Sequence, residues 1–338
     1  MSFWNNIERS IICLAPMEDV TDTALRELLL TTADPSSLHV VMTEFASTDG
    51  LVHKKARKRI IHRLHVTCEE RALLKKKNVK IVAQIWGNKP EHYTQVIKEI
   101  YDEMNFDGID INMGCPVPKV VRRGCCSGLI GNPNLAKEII QAAKEASPLP
   151  VSVKTRIGLK SIATEEWAAH LLETRPAAIT FHGRTQKQMS VGPANWDEIA
   201  KAARLRDQID PDIPIIGNGD IKSIKEAREK CNQYQLDGAM IGRGIFDNPW
   251  IFMEEQRERS QEEKLKMLWT HTQLFERVWN GRKNFHILRR YYSIYCKGFP
   301  GCAELRAKLV QTESIEEVAK IIKTINPAMD ILDMDRFI

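Results

Sequence analysis

The chain has 338 residues, 43% hydrophobic and 28% charged, a size and balance typical of a globular protein. No apolar run approaches the roughly 18 residues that a membrane span requires, and no signal-peptide pattern precedes the first apolar segment. We therefore expect a cytoplasmic protein without a membrane partner, whose eight cysteines are reduced. No C-x-x-C pair occurs, so no metal site is expected. The net charge of +5 is too small to identify a partner, and no protein partner can be inferred.

Short apolar segments alternate with helical patterns as far as about residue 250, which is typical of βα units around a parallel sheet. Helix-start signals lie between them, such as Asn132 before Pro133 and a predicted capping box at Ser223 and Glu226. Eight such units favour a (β/α)8 TIM barrel over an open doubly wound sheet. The candidate strands are 11–16, 40–45, 81–86, 108–113, 151–156, 178–183, 213–217 and 238–242.

The strand pattern stops after Pro249, and residues 255–338 have the periodicity of amphipathic helices. We therefore expect two domains, a catalytic barrel over 1–250 and an all-helical domain over 255–338. Segment 277–310 contains eight lysines and arginines, Arg289 and Arg290 among them, interleaved with aromatic residues.

Lysine and arginine attract phosphates and aromatic rings stack on unpaired bases, so this mixture favours an RNA partner. A second basic run spans 54–63. The alternative for both segments is a solvated helix face whose aromatic residues turn towards the core.

Seven of the eight predicted strands end in polar residues, at the position where barrel enzymes carry their chemistry. Buried polar groups are costly unless they are paired or used, so this repetition predicts a site at one end of the barrel. The residues are Glu44, Gln84, Asn112, Lys154 with Arg156, His182 with Arg184, Asn218 with Asp220, and Arg243.

The last two strand ends are rich in glycine, with Gly219 between Asn218 and Asp220, and Gly242 before Arg243. Backbone N–H groups exposed at such glycines bind phosphate, and the loops after strands seven and eight are the usual phosphate site of this barrel. The pattern predicts a phosphorylated ligand, although it does not distinguish FMN from a sugar phosphate. Simple turn glycines are the alternative.

Three polar side chains leave more than one role open. Lys154 in a barrel mouth can stabilise negative charge on a reduced flavin or form a Schiff base, or it can pair with an acid such as Glu44. His182 can hydrogen-bond a flavin or a phosphate, or be structural. Gln84 can present its amide to a pyrimidine-like ring.

Cys115 follows the fourth strand within Asn112-Met113-Gly114-Cys115-Pro116, where Gly114 permits a tight turn and Pro116 fixes the exit of the chain. The turn displays the thiol at the mouth of the barrel. A thiolate there is a nucleophile, a neutral thiol can donate a proton, and an inert buried cysteine is the alternative. The neighbouring Cys125 and Cys126 could be redox partners or ligands, but packing in a flexible loop is expected.

In combination, these segments resemble the dihydrouridine synthase family over almost the whole chain. The matching motifs are APMEDVTD at 15–22, TEF at 43–45, QIWG at 84–87, DINMGCPVPKV at 110–120, SVKTRIG at 152–158, FHGRT at 181–185, GNGDI at 217–221 and MIGRGIF at 240–246. KGFPG at 297–301 and ELRAKL at 304–309 are similar to the family's helical tRNA-binding domain. The resemblance implies an FMN-bound barrel that uses NADPH to reduce the C5–C6 double bond of uridine in tRNA.

The resemblance also implies roles for individual residues. Cys115 corresponds to the proton donor, and Asn112 and Arg184 to substrate or flavin contacts. The resemblance implies that the flavin ring is bordered or contacted by Pro16, Met17, Glu18, Gln84, Lys154 and His182. It implies that the flavin phosphate is bound by Asn218, Gly219, Asp220, Gly242 and Arg243. Arg289 and Arg290 are expected to contact tRNA.

One segment departs from the family pattern. Many members have a lysine- and glycine-rich stretch after the catalytic cysteine, where this chain has RRGCCSGL at 122–129. This loop is expected to cover the substrate, so the target uridine and the subfamily stay open. Three rival hypotheses are a flavin-dependent reductase of free pyrimidines, a non-flavin aldolase or isomerase acting on a sugar phosphate, and an RNA chaperone on an inactive barrel.

Overall fold

The computed structural model describes residues 2–326 and contains a closed barrel of eight parallel strands in sequence order. The barrel closes because β1 pairs with β8, Ile11 opposite Gly238. The strands are β1 Ile11–Leu14, β2 Val40–Ser47, β3 Lys80–Trp86, β4 Gly108–Met113, β5 Val151–Arg156, β6 Ile179–His182, β7 Ile215–Asn218 and β8 Gly238–Ile241. The predicted TIM barrel is confirmed, and every predicted strand ends within two residues of its prediction.

Helices separate the strands and cover the outside of the barrel. They are α1 Thr23–Thr32, α2 Thr48–Val52, α3 Lys54–Ile60, α4 Cys68–Lys77, α5 Pro90–Met104, α6 Pro118–Val121, α7 Pro133–Ala146, α8 Thr164–Leu172, α9 Trp196–Ile209, α10 Ile224–Tyr234 and α11 Gly244–Asp247. Short 3-10 turns occupy Phe3–Asn5, Ile61–Leu64, Cys126–Gly131 and Phe285–Leu288.

The predicted helix starts are confirmed in α7 and partly in α10. Asn132 caps α7 through its side chain, and Pro133 is the first helical residue. At α10 the Ser223 hydroxyl accepts from the N–H of Glu226, but the Glu226 carboxylate accepts from Lys222 instead of Ser223. The predicted capping box is therefore only half formed, because the returning carboxylate contacts a residue one position earlier.

Alternating side chains divide the barrel into an inner and an outer core. Ile11, Cys13 and Met240 belong to an inner apolar cluster that Trp4 joins, whereas Ile12 and Leu14 pack outward against the helices. This period of two is what a strand imposes on its side chains. Apolar residues therefore fill the lower barrel interior, and polar groups are concentrated at the carboxyl ends of the strands.

A helical region follows the barrel, as predicted, with α12 Gln261–Trp279, α13 Arg289–Tyr295, α14 Cys302–Leu309 and α15 Ile315–Ile325. Its buried side chains join the same hydrophobic cluster as the outer barrel core. The predicted division into domains 1–250 and 255–338 stays a prediction, and residues 327–338 lie outside the described residues. Within 2–326, no helix is both long enough and apolar enough to cross a membrane.

Candidate active site at the mouth of the barrel

A cavity of about 800 Å³ opens at the carboxyl ends of the strands. Loops after β1, β4, β6, β7 and β8 contribute to its wall. Twelve of the residues predicted for the site line it: Pro16, Met17, Asn112, Cys115, Lys154, His182, Arg184, Asn218, Gly219, Asp220, Gly242 and Arg243. Glu18, Gln84, Arg289 and Arg290 lie outside the lining.

Gln84 lies one layer below the cavity and is fully buried. Its amide nitrogen donates to Asp110 Oδ2 at 2.7 Å, and its amide oxygen accepts from Asn112 Nδ2 at 2.9 Å. Ser152 donates to the other Asp110 oxygen at 2.6 Å, and burial raises the pKa of Asp110 to about 6. Gln84 therefore orients Asn112, and its predicted contact with a flavin stays a prediction.

Hydrogen bonds hold the turn that carries Cys115 on both sides. Asn112 Oδ1 accepts from the N–H groups of Gly114 and Cys115 at 3.0 and 2.9 Å. Arg156 Nε donates to the Gly114 carbonyl at 2.7 Å, and Ser127 Oγ donates to the Cys115 carbonyl at 2.8 Å. Protein groups alone thus fix the turn that carries the thiol.

The Cys115 thiol is half-buried. Its pKa is lowered to about 7, chiefly by the neighbouring Cys126 thiol and against the raising effect of burial. The N–H of Val117 and the charge of Arg156 contribute in the same direction as Cys126. Near neutral pH both the thiol and the thiolate of Cys115 are accessible.

The β5 and β6 strand ends carry the half-buried amine of Lys154 and the imidazole of His182. Lys154 Nζ donates to Asn218 Oδ1 at 3.0 Å, and burial lowers the pKa of Lys154 to about 8. Glu44 does not pair with Lys154, because it binds Lys283 of the helical region at 3.1 Å. Burial holds the pKa of His182 well below its usual value, so its Nε2 accepts from Arg184 Nη1 at 3.1 Å.

The β7 and β8 loops form the cationic end of the cavity. Asp220 accepts from Arg184 at 2.6 Å and contacts Arg243 at 3.3 Å. Gly219 has φ +134°, and a Cβ there would lie 2.5 Å from the Ala194 Cβ, so glycine is required. A Cβ at Gly242 would meet ordinary contacts at 3.5 Å or more, so its role is not set by crowding.

The remaining predicted residues surround the loop that follows β1. Glu18 forms an ion pair with Arg63, which belongs to the basic run 54–63. Arg290 donates to the Asp19 carbonyl at 2.6 Å and is exposed, whereas Arg289 is half-buried. Both basic segments therefore reach the same loop at the rim of the cavity.

Several lining residues were not given a role from the sequence. Arg156 lies two positions after Lys154, on the same face of β5, and this spacing was an available signal. Phe45, Ser190 and Phe246 also line the cavity without a comparable signal. Within residues 2–326, no three His, Cys, Asp or Glu side chains converge on a possible metal position.

Comparison with known proteins adds independent information. The family model described as dihydrouridine synthase (Dus) matches residues 13–330. A probable tRNA-dihydrouridine synthase of Staphylococcus epidermidis is 41% identical over 331 residues, covering 97% of this chain and 98% of the relative. A probable tRNA-dihydrouridine synthase 2 of Bacillus subtilis is 39% identical over 323 residues, covering 95% of each chain.

A solved structure resembles the barrel at much lower identity. The 2-naphthoyl-CoA reductase complex with 2-naphthoyl-CoA superposes with a TM-score of 0.51 and 9% identity, covering 71% of this chain and 48% of that chain. This likeness shows the fold alone. The family match extends over nearly the whole chain and includes the loop that carries Cys115. The chain belongs to the dihydrouridine synthase family.

Proposed function

We propose that this chain is a tRNA-dihydrouridine synthase, an oxidoreductase that uses FMN and NADPH to reduce the C5–C6 double bond of uridine in tRNA. The observation that carries the proposal is the Cys115 thiol, fixed by its turn in the wall of a cavity that also holds Lys154 and His182. Family membership and the printed names of the relatives support the reaction and the tRNA substrate. A cytoplasmic location stays a prediction.

The donors in the cavity fit a flavin mononucleotide. Lys154 is a half-buried amine whose one described hydrogen-bond acceptor is Asn218, so further donor capacity faces the cavity. A cation there suits a ring that carries negative charge when reduced. At the other end Arg243 is more than half exposed, and Gly242 and Gly244 flank it, as a phosphate-binding loop requires.

FMN, when bound and reduced, supplies the hydride for C6 of the uracil ring. Cys115 completes the addition by giving its proton to C5: the S–H bond breaks, the C–H bond forms, and sulfur keeps the electron pair. The Val117 N–H and the Arg156 guanidinium lower the pKa of Cys115, which makes the thiol a stronger acid. Asn112 keeps the Cys115 turn in place during this step through its two backbone hydrogen bonds.

A uridine within folded tRNA has to leave its stack to reach this cavity, at a cost of about a few kcal/mol. Positive charge at the rim offsets that cost by binding the phosphate backbone. Arg290 and Arg63, the last residue of the basic run 54–63, contact the loop after β1 and present this charge. We propose that both segments contact the tRNA.

The direct test compares substrates for the purified, FMN-loaded protein. NADPH oxidation should be fast with unmodified tRNA and slow with free uridine, and dihydrouridine should appear in the tRNA. Turnover on the free pyrimidine alone would favour the small-molecule reductase. A protein that binds no FMN but consumes a sugar phosphate through a Schiff base at Lys154 would favour the aldolase.

A further inference from the structure

Three successive peptide carbonyls of the Cys115 turn are each held by a different part of the chain. The Gly114 and Cys115 carbonyls accept from side chains of β5 and of the 3-10 turn Cys126–Gly131. The third carbonyl, on Pro116, accepts from the side-chain amide of Gln186 at 2.9 Å. Gln186 lies in the loop after β6, 70 positions further along the chain, so this bond joins two loops at the barrel mouth.

The bond to Pro116 fixes the rotation that the proline ring leaves free. The ring already restricts φ of Pro116, so ψ is its remaining soft dihedral. Because the peptide unit is planar, a carbonyl held by Gln186 also sets the direction of the Val117 N–H at the opposite edge of the same plane. That N–H lowers the pKa of the Cys115 thiol, so the orientation of this peptide affects the sulfur itself.

Backbone hydrogen bonds hold Gln186 in its own loop. Its N–H donates to the Gly158 carbonyl at 2.9 Å, and its carbonyl accepts from the Met189 N–H at 3.0 Å. The next N–H, of Lys187, donates to the Leu159 carbonyl at 3.0 Å. The loop after β5 therefore supports the loop after β6, which in turn supports the Cys115 turn after β4.

Arg156 joins the same loops through a second set of bonds. Its Nε donates to the Gly114 carbonyl at 2.7 Å, and its Nη1 donates to the Thr185 and Met189 carbonyls at 3.0 and 2.8 Å. Arg156 also lines the cavity, so its replacement would alter the binding site together with the turn. Gln186 lies outside the cavity lining, and its replacement therefore tests the support of the turn alone.

We propose that Gln186 is a positioning residue for the proton transfer: by holding the Pro116 carbonyl, it keeps the Cys115 thiol where its proton can reach C5 of the uracil. The inference rests on the proposed function for its chemistry. Gln186 keeps its own protons, while the Cys115 S–H bond breaks, C5 gains the proton and sulfur keeps the electron pair. A displacement of about 1 Å can cost about 100-fold in rate, so the loss of one support should be measurable.

The first test is the rate of dihydrouridine formation by the FMN-loaded protein at saturating tRNA. Gln186→Met removes the amide donor at similar side-chain length, and its kcat should fall by roughly tenfold or more. NADPH reduction of the flavin and the KM for tRNA should change little, because Gln186 lies outside the cavity lining. Gln186→Lys keeps an N–H donor and should keep most of the rate. Lys187→Met is the matched control, at an exposed side chain of the same loop that bonds no other residue within 2–326.

A double-mutant cycle separates an effect on Cys115 from a general structural role. If Gln186 acts through the Cys115 thiol, Gln186→Met should slow the wild type but should not slow Cys115→Ala any further. Single-turnover rates over long incubations measure all four proteins. Equal slowing in both backgrounds would overturn the proposal, as would an unchanged kcat in Gln186→Met or an equal fall in Lys187→Met.

Hydrogen exchange is a readout that needs no tRNA and distinguishes failure of this inference from failure of the proposed function. In Gln186→Met, peptides spanning 114–117 should exchange their amide hydrogens severalfold faster than in the wild type, while those of β3 stay unchanged. Faster exchange in a protein that forms no dihydrouridine would reject the proposed function while supporting Gln186 as the residue that positions the Cys115 turn. Unchanged exchange at 114–117 would overturn the inference even where the wild type reduces tRNA.

Discussion

Two regions of this protein concentrate charged side chains, and they differ in how completely the cations are matched by acids. Around α1 the cations are matched: Lys283 lies between Asp22 and Glu44 at 3.2 and 3.1 Å, Arg26 pairs with Glu70, and Arg277 with Glu27. The cavity at the barrel mouth has five cations and two acids in its wall, namely Lys154, Arg156, Arg184, Lys222 and Arg243 against Asp220 and Asp247.

The difference distinguishes charges that stabilise the fold from charges that bind a ligand. A paired buried charge is costly to break, because removal of one partner strands the other in a poorly solvated site. The cavity wall instead has more cations than acids, and such an excess attracts an anionic ligand. The first region therefore holds the helices on the barrel, and the second provides the binding site.

The matched region should respond most strongly when a central cation is removed. Lys283 is 6% exposed and lies 4.1 Å from the centre of the Trp279 ring. Lys283→Met leaves Asp22 and Glu44 without their shared cation, so the free energy of unfolding should fall by about 3 kcal/mol. Chemical denaturation measures this loss. Lys225→Met, at an 85% exposed lysine, is the control and should change stability by less than about 0.5 kcal/mol.

Removal of a cation from the cavity should have the opposite sign. Lys154→Met removes an amine whose burial lowers its pKa to about 8, so below pH 8 the free energy of unfolding should rise by about 1–3 kcal/mol. The same variant should bind FMN at least about tenfold more weakly, because it loses a charged donor to the flavin. A large loss of stability at neutral pH would show that Lys154 belongs with the matched charges.

The pH dependence of the stability gained in Lys154→Met follows from the direction of the Lys154 pKa shift. The pKa of Lys154 is lower in the folded state than in the unfolded state, so the unfolded chain binds more protons between pH 8 and about 10.4. Wild-type stability should therefore gain a contribution from Lys154 as pH rises through this window, and Lys154→Met should lack it. Denaturation of both proteins at pH 7, 9 and 10 tests the difference; equal slopes would contradict it.

The smallest expected effect is at the rim, where charges are solvated. Arg289→Glu with Arg290→Glu should weaken tRNA binding severalfold and flatten its salt dependence by about one to two released counterions, with FMN reduction unchanged. Binding isotherms at several salt concentrations measure the slope. Lys75→Glu with Lys76→Glu, exposed at the end of α4 that precedes β3, is the matched control. Equal effects of the two pairs would place the tRNA contact elsewhere.

Patterns within single segments of the sequence were sufficient to predict the barrel and the end of the barrel where its site lies. Each strand has its own apolar run, and the carboxyl ends of parallel strands must meet, so Lys154 and Asn218 could be expected together and lie 3.0 Å apart. Strand limits were less certain. Residues 213 and 214 precede β7 because Pro214 has no N–H to donate to the ladder.

The sequence could not predict contacts that depend on the path of long loops. Lys283 reaches Glu44 across 239 positions of the chain, and nothing in either segment specifies that approach. Cys126 was expected to pack in a flexible loop; it is fully buried at a left-handed residue, and its thiol has the largest effect on the pKa of Cys115. The sequence does not separate a residue of the cavity wall from the layer beneath it, and the predicted contact of the buried Gln84 with a flavin stays a prediction.

The central claim is that Cys115 donates the proton that completes uracil reduction. The most direct measurement is the dihydrouridine formed in unmodified tRNA by wild type and Cys115→Ala, both loaded with FMN and reduced by NADPH beforehand. The variant should keep flavin reduction and lose about 10²–10⁴-fold in the rate of dihydrouridine formation. Near-normal formation of dihydrouridine by Cys115→Ala would contradict the account.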